Sequence, residues 1–233
     1  VASGAGALGV GDIDPTLACK SRETQKNEAC DANPKGSRCT KKTKIFNDCL
    51  AYQAELNDAP DEAPASGNEA KCQKPEAGYT PTFKRELACM VCNCFYEANT
   101  ESYEGKVAVG RVVWTRSFLD EGNRRYPPTL CGAIYDTAQF SWTVTRKGNS
   151  TLNDKKMLDP QHPTTTGYGT CYKASLEAMK KQKRFAMHYH AGPQPGWAKG
   201  CTMLEQIGAH KFYKDCDAEA ADRDFDPRSE VVL

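Results

Sequence analysis

Twelve cysteines in 233 residues constrain this chain more than any other feature. They are Cys19, Cys30, Cys39, Cys49, Cys72, Cys89, Cys92, Cys94, Cys131, Cys171, Cys201 and Cys216. An even number spread along the whole length, rather than gathered into two close CxxC knuckles, reads as a set of disulfides formed in an oxidising compartment. The protein is therefore expected to be secreted or periplasmic. The competing reading is a reduced intracellular protein whose cysteines are ordinary core residues. Zinc at Cys89-x-x-Cys92-x-Cys94 would need further ligands at suitable spacing, and the nearest histidine, His162, is far off in sequence. No metal or other cofactor is expected.

The cysteines also divide the chain. Residues 1–80 hold five of them, few apolar stretches and, from Asn57 to Gly78, a run rich in Asp, Glu, Pro, Ala and Gly that buries little surface. This region reads as a small disulfide-stapled N-terminal module with a weakly helical piece around Lys44–Leu56, followed by a linker. Residues 81–216 carry the other seven cysteines and nearly all the aromatic side chains, so the core belongs there, and residues 217–233 form an acidic tail. Because five and seven are both odd, full oxidation requires at least one bridge between residues 1–80 and residues 81–216.

A length of 233 residues suits one domain with an appendage, or two small ones. No apolar run approaches the roughly 20 residues of a membrane-spanning helix. The chain opens Val1-Ala2-Ser3-Gly4 with neither an initiator Met nor a basic, then apolar, leader, so any export signal is expected to have been removed or to lie outside this sequence. The formal charge of +1 conceals an asymmetry: 10 basic against 12 acidic residues in 1–80, 19 against 12 in 81–216, and 2 against 6 in 217–233. A basic central module suits a polyanionic partner such as a cell-wall polymer. A solvated helix face at Lys180–Arg184 accounts for part of the excess, and nucleic acid, for which no fingerprint motif is present, is not expected as a partner.

Within 81–216 the periodicity is legible. Thr80-Pro81 signals a helix start, and Phe83, Leu87, Met90, Val91, Cys94 and Phe95 recur at three- and four-residue intervals, predicting a helix to about Glu97. A second helix, about Glu104 to Leu119, carries Val107, Ala108, Val109, Val112, Val113 and Trp114 and is apolar enough to be the buried centre. Tyr126-Pro127-Pro128 breaks the chain, Thr129 to Tyr135 reads as a short helix, Cys171 to Arg184 as another, and Phe185 to His190 alternates like a strand. In that strand His188 and His190 project from one face and Tyr189 from the other.

Glu97 falls where an apolar helix runs out, directly after Phe95 and Tyr96. A carboxyl in such surroundings loses hydration, which disfavours the anion and lets it remain a proton donor near neutral pH. The run from Phe95-Tyr96-Glu97-Ala98-Asn99-Thr100-Glu101-Ser102-Tyr103-Glu104-Gly105 through Val107-Ala108-Val109-Gly110-Arg111-Val112-Val113-Trp114-Thr115-Arg116 resembles the opening motif of the SleB-type cell-wall hydrolases, the spore-cortex-lytic family. Later blocks follow in the family's order: Tyr126 to Tyr135, Gln139-Phe140-Ser141-Trp142, His188-Tyr189-His190 with Trp197, and Ile207 to Tyr213. Together they span roughly residues 88–214 and leave residues 1–80 and the acidic tail uncovered.

The resemblance implies a lysozyme-like α+β fold, mainly helical with a small β element, here joined to a disulfide-rich N-terminal extension. It implies an enzyme that cleaves the β-1,4 glycan strand of peptidoglycan, between N-acetylmuramic acid and glucosamine units, with the family's single catalytic glutamate falling on Glu97. The chain departs from the family where Asn99-Thr100 stands for the usual Arg-Gly and Thr115-Arg116 for the usual Asn-Arg, so reaction type transfers more safely than substrate preference. Glu101 is the choice for an assisting catalytic group, although a helix start attracts Glu101 and Glu104 through its dipole alone.

Tyr189 and His190 are expected in the cleft by the same resemblance, and His210 is either a sugar contact or a packed structural histidine. Tyr103, Phe140, Trp142, Tyr168 and Trp197 offer rings for sugar faces, with the core as their alternative. Trp114 is expected inside, and Trp142 and Trp197 partly exposed. Gln139 and Ser141 offer hydrogen bonds to a sugar, or merely cap a loop. Several carboxylates near the cleft, Glu101, Glu104 and Asp136, suggest a preference for N-deacetylated glycan, whose ammonium they would pair. The partner expected is the glycan strand, without nucleic acid or membrane span, and the protein itself is expected to be a monomer. The rival reading is a non-catalytic sugar-binding or inhibitor protein on the same fold; its mark would be loss of the acid, and Glu97 is present.

Overall fold

A computed structural model describes residues 19–60, 72, 74–76, 78–119, 125–137, 139–144, 165–181 and 185–214. The acidic tail, His162 and part of Lys180–Arg184 lie outside the described residues. By its contacts the chain divides at Ala59/Pro60 into two compact units, inside the segment read as linker.

The first unit is a helical hairpin: α1 (Lys20–Ala32) and α2 (Ser37–Asn57), joined across Asn33-Pro34-Lys35-Gly36. Both helices are rich in Lys, Glu, Ala and Gln, good helix formers, and Pro34 stops the first. α2 extends further than the weak stripe at Lys44–Leu56 suggests, and α1 carries no apolar stripe from which it could be read. So polar a pair buries little, with Ala29, Cys39 and Phe46 among its few buried side chains. Two rungs compensate. Cys19–Cys49 and Cys30–Cys39 cross-link the pair at two levels, and each such bridge typically contributes about 2–4 kcal/mol.

The second unit is α+β, mostly helical with one small sheet. Its helices are α3 (Phe83–Ala98), α4 (Tyr103–Trp114), α5 (Leu130–Ile134), α6 (Ser141–Val144) and α7 (Thr165–Lys181). Each of the first three starts on a hydroxyl cap that takes up an otherwise unpaired amide. Thr82 accepts from the Arg85 N–H at 3.3 Å, Ser102 from Gly105 at 3.2 Å and Thr129 from Gly132 at 3.0 Å. The buried carboxylate of Glu86 adds a second hold on α5, accepting from the Leu130 and Cys131 amides and from the Tyr79 hydroxyl. Burial pushes its pKa up, against these hydrogen bonds.

α4 is the centre of the unit, as its apolarity predicts: Val107, Val109, Val112, Val113 and Trp114 are all buried. α7 packs on both α4 and α3. Gly110 allows the close approach, for a Cβ there would stand 2.7 Å from the Cβ of Ala178. After Trp114 the helix widens into a π turn over Thr115–Leu119. There the hydroxyls of Thr115 and Ser117 donate back to the Arg111 and Val113 carbonyls, both at 2.9 Å. Thr115 also accepts from the Phe185 N–H at 3.1 Å, which delays the predicted strand from Phe185 to His188.

The sheet is β1 (His188–Ala191), β3 (His210–Tyr213) and β2 (Met203–Ile207) in the order β1-β3-β2, all antiparallel. Phe212, on the central strand, packs with Val109, Val112 and Ala108 of α4 and with Ala98 at the end of α3. This contact ties the sheet to the two helices that flank the site.

Candidate active site

Three disulfides grip α3, the helix that ends at Glu97. Cys89 is bonded to Cys131 of α5, Cys92 to Cys72, and Cys94 to Cys171 of α7. The Cys72–Cys92 bridge is the link across residue 80 that the odd cysteine counts require. The same bonds oxidise all three sulfurs weighed as zinc ligands. Among the described residues no group of three or more His, Cys, Asp or Glu side chains is placed to hold a metal ion.

Glu97 is half-buried on the last turn of α3. The Tyr189 hydroxyl, brought from 92 residues away by β1, donates to Glu97 Oε2 at 3.1 Å. The Tyr189 ring lies 5.1 Å from that of His210, edge to face, and 6.4 Å from that of Phe140. His210 Nδ1 in turn stands 3.6 Å from Glu101 Oε1, and Glu101 Oε2 accepts from the Ala209 N–H at 3.1 Å. Burial lowers the pKa of His210, with the Glu101 charge opposing and His190 adding to the shift. Glu97, Glu101, Tyr189, Phe140 and His210 thus form one continuous cluster.

The alternation read in β1 holds, and it separates residues that the resemblance groups together. Tyr189 faces Phe212, His210 and Glu97, while His190 stands on the other face. There His190 Nε2 lies 3.0 Å from the Tyr213 hydroxyl, its ring stacked on Tyr213 and met edge-on by the partly exposed Trp197. His190 and Trp197 therefore do not join the Glu97 cluster. Tyr103 is exposed, with its hydroxyl donating to Glu177 at 2.8 Å. Ser141 is exposed, and half-exposed Gln139 donates to the Thr137 carbonyl at 3.3 Å.

Trp142 corrects an expectation: it is buried, not partly exposed. Its indole N–H donates to Asn93 Oδ1 at 3.0 Å and its ring stacks on Tyr96 at 4.6 Å, so neither its polar nor its apolar part needs water. Phe140 is buried as well and underlies Tyr189 rather than offering an open face. Two supporting residues have no role assigned from the sequence: Asn93, which is not singled out there, and Arg116, which stands there only as part of the opening motif. Asn93 lies one turn before Glu97 on the same helix, a spacing of four that could have suggested it. Buried Arg116 donates to the Met187 carbonyl at 2.7 Å and lies 5.3 Å from the Phe140 ring centroid.

Residues 100–213 match the family model described as Cell Wall Hydrolase. The match begins three residues after Glu97 and includes Glu101, Tyr189 and His210. No curated protein matches the chain. Among solved structures the chain is similar to the catalytic domain of the germination-specific lytic transglycosylase SleB from Bacillus anthracis, at 22% identity and a TM-score of 0.42, covering 60% of this chain and 100% of that one. It is similar also to the catalytic domain of the Bacillus cereus SleB protein, at 23% identity and a TM-score of 0.41, covering 60% of this chain and 96% of that one.

Proposed function

We propose that this chain, a peptidoglycan-acting enzyme of the SleB-type cell wall hydrolases, cuts the β-1,4 bond of the glycan strand by general-acid chemistry at Glu97. The observation that carries the reading is the Tyr189 hydroxyl on Glu97 Oε2 at 3.1 Å. A hydroxyl donating to Oε2 fixes the plane of the carboxyl and assigns the proton of the acid form to the other oxygen, Oε1. Glu97 then protonates the glycosidic oxygen as positive charge develops at the anomeric carbon, and the departing sugar leaves as an alcohol. The resulting carboxylate accepts a proton from the attacking hydroxyl. If that hydroxyl is water, the product is a reducing sugar; if it is the sugar's own 6-hydroxyl, the product is an anhydro-sugar. Mass spectrometry of the released fragments distinguishes them by one water.

Glu97→Gln keeps the shape of the side chain and removes the transferable proton. Lytic turnover is expected to fall by about 10²-fold or more, the usual scale for general-acid help, with the melting temperature unchanged. A folded variant with near-normal turnover would end the assignment.

The disulfides support an exported enzyme that meets its wall outside the cytoplasm; among the described residues no helix is long and apolar enough to cross a membrane. The finer substrate reading is a preference for N-deacetylated glycan. Exposed Glu104 and half-exposed Asp136 are the carboxylates that support it, since Glu101 is engaged by the hairpin turn. Deacetylating one peptidoglycan preparation is expected to speed its clearing, and more so at low salt, where exposed charges are less screened. Equal or slower clearing after deacetylation would remove the preference.

A further inference from the structure

We propose that Glu101 is a positioning residue: it clamps the β2–β3 turn so that His210 seats the Tyr189 ring and Tyr189 keeps its hydroxyl on Glu97. This rests on the reading of Glu97 as the acid.

The backbone of Glu101 is itself anchored on both sides. Its N–H donates to the Ala98 carbonyl at 3.0 Å, and its own carbonyl accepts from Lys106 Nζ. Its side chain is only 10% exposed, and both carboxylate oxygens face the hairpin. Oε2 accepts from the Ala209 N–H at 3.1 Å, while Oε1 stands 3.6 Å from His210 Nδ1. Gly208 is shaped to this contact twice over. Its φ of +59° disfavours a side chain, and a Cβ there would collide with Glu101 Oε2.

The next residues of the turn carry the effect onward. His210, 5% exposed, presents its ring edge-on to Tyr189 at 5.1 Å and 82°. Tyr189 then reaches Glu97. A carboxylate bound to a backbone amide 108 residues away is committed to holding the hairpin. A group that assists at the glycosidic bond would instead have to present an oxygen to the substrate.

The test is a set of kinetic cycles on purified peptidoglycan. Glu101→Ala and Gly208→Ala are each expected to lower kcat by about tenfold, the kinetic equivalent of one well-placed hydrogen bond, with KM little changed. Tyr189→Phe is expected to lower kcat similarly, and the Glu101→Ala/Tyr189→Phe pair to be no slower than the worse single variant, because both act on the same contact. Glu101→Gln, whose amide oxygen still accepts from Ala209, is expected to stay near wild type. Multiplying effects in the pair, unchanged kcat in Glu101→Ala, or a Glu101→Gln loss as deep as that of Glu97→Gln would overturn the proposal. Should Glu101→Ala not fold, Gly208→Ala carries the same cycle. Amide hydrogen exchange at Ala209 separates the two readings: protection lost in Glu101→Ala while Glu97→Gln remains active means that the clamp stands and the acid assignment fails.

Discussion

His210 is held neutral by burial, and this carries a thermodynamic consequence. Its folded pKa lies below the ordinary value of about 6.5, so below that pH the unfolded chain takes up a proton that the folded chain does not. The stability it contributes is complete above pH of about 6.5, declines as pH falls toward the folded pKa, and changes no further below it. Melting temperatures measured between pH 7 and pH 5 are expected to fall less in His210→Gln, relative to its own pH 7 value, than in the wild type. An identical slope in the two proteins would contradict the assignment. At this scale the site was half legible. The motif resemblance points to Glu97, Tyr189 and His190 and leaves His210 either a sugar contact or a packed histidine; Tyr189 and His210 lie with Glu97, whereas His190 stands on the other face of β1. The burial of Trp142 is not legible locally, because the group that meets its one polar atom, Asn93 Oδ1, lies 49 residues away in sequence. The side of β1 on which each histidine falls follows from alternation alone, but which side meets Glu97 depends on how the sheet packs against α3 and α4, and no local pattern encodes that.

At the scale of elements, helices announced themselves where one face is apolar. α3 and α4 are legible because their side chains repeat at the helical period against a single core. α1 is polar all round, and its hairpin is held by rungs that a one-dimensional reading cannot pair. β2 has no alternation to find, because four of its five residues are exposed. The same reasoning sets which disulfide matters to catalysis. Cys94 is three residues before Glu97, and its bond to Cys171 fixes the end of α3 against α7. Replacing both with Ser is expected to cost about 2–4 kcal/mol of stability and also to lower kcat, because the acid's helix end is freed. Replacing Cys19 and Cys49 is expected to destabilise α1 and α2 without changing kcat. Denaturant melts and turnover on both pairs check this, and equal kcat losses would show that α3 gains nothing particular from its bridge.

The whole molecule is two units whose covalent bookkeeping closes separately. Cys19, Cys30, Cys39 and Cys49 pair among themselves, and the bridges Cys72–Cys92, Cys89–Cys131 and Cys94–Cys171 all lie beyond Pro60. Every residue of the Glu97 cluster lies beyond Pro60 too. A cut at the Ala59/Pro60 division therefore breaks no described disulfide and removes no member of the cluster. A cut after residue 80 would sever Cys72 from Cys92 and leave a thiol on the helix that carries Glu97. Residues 60–233 are accordingly expected to fold, to show no titratable thiol and to keep the kcat of the full chain, whereas residues 81–233 are expected to expose one thiol and to lose stability by the few kcal/mol typical of a lost native bridge, about 2–5. Any change that does follow removal of residues 1–59 should then appear as weaker retention on intact wall, with turnover on soluble glycan fragments preserved. Loss of turnover on soluble fragments by residues 60–233 would show instead that the helical hairpin completes the catalytic unit.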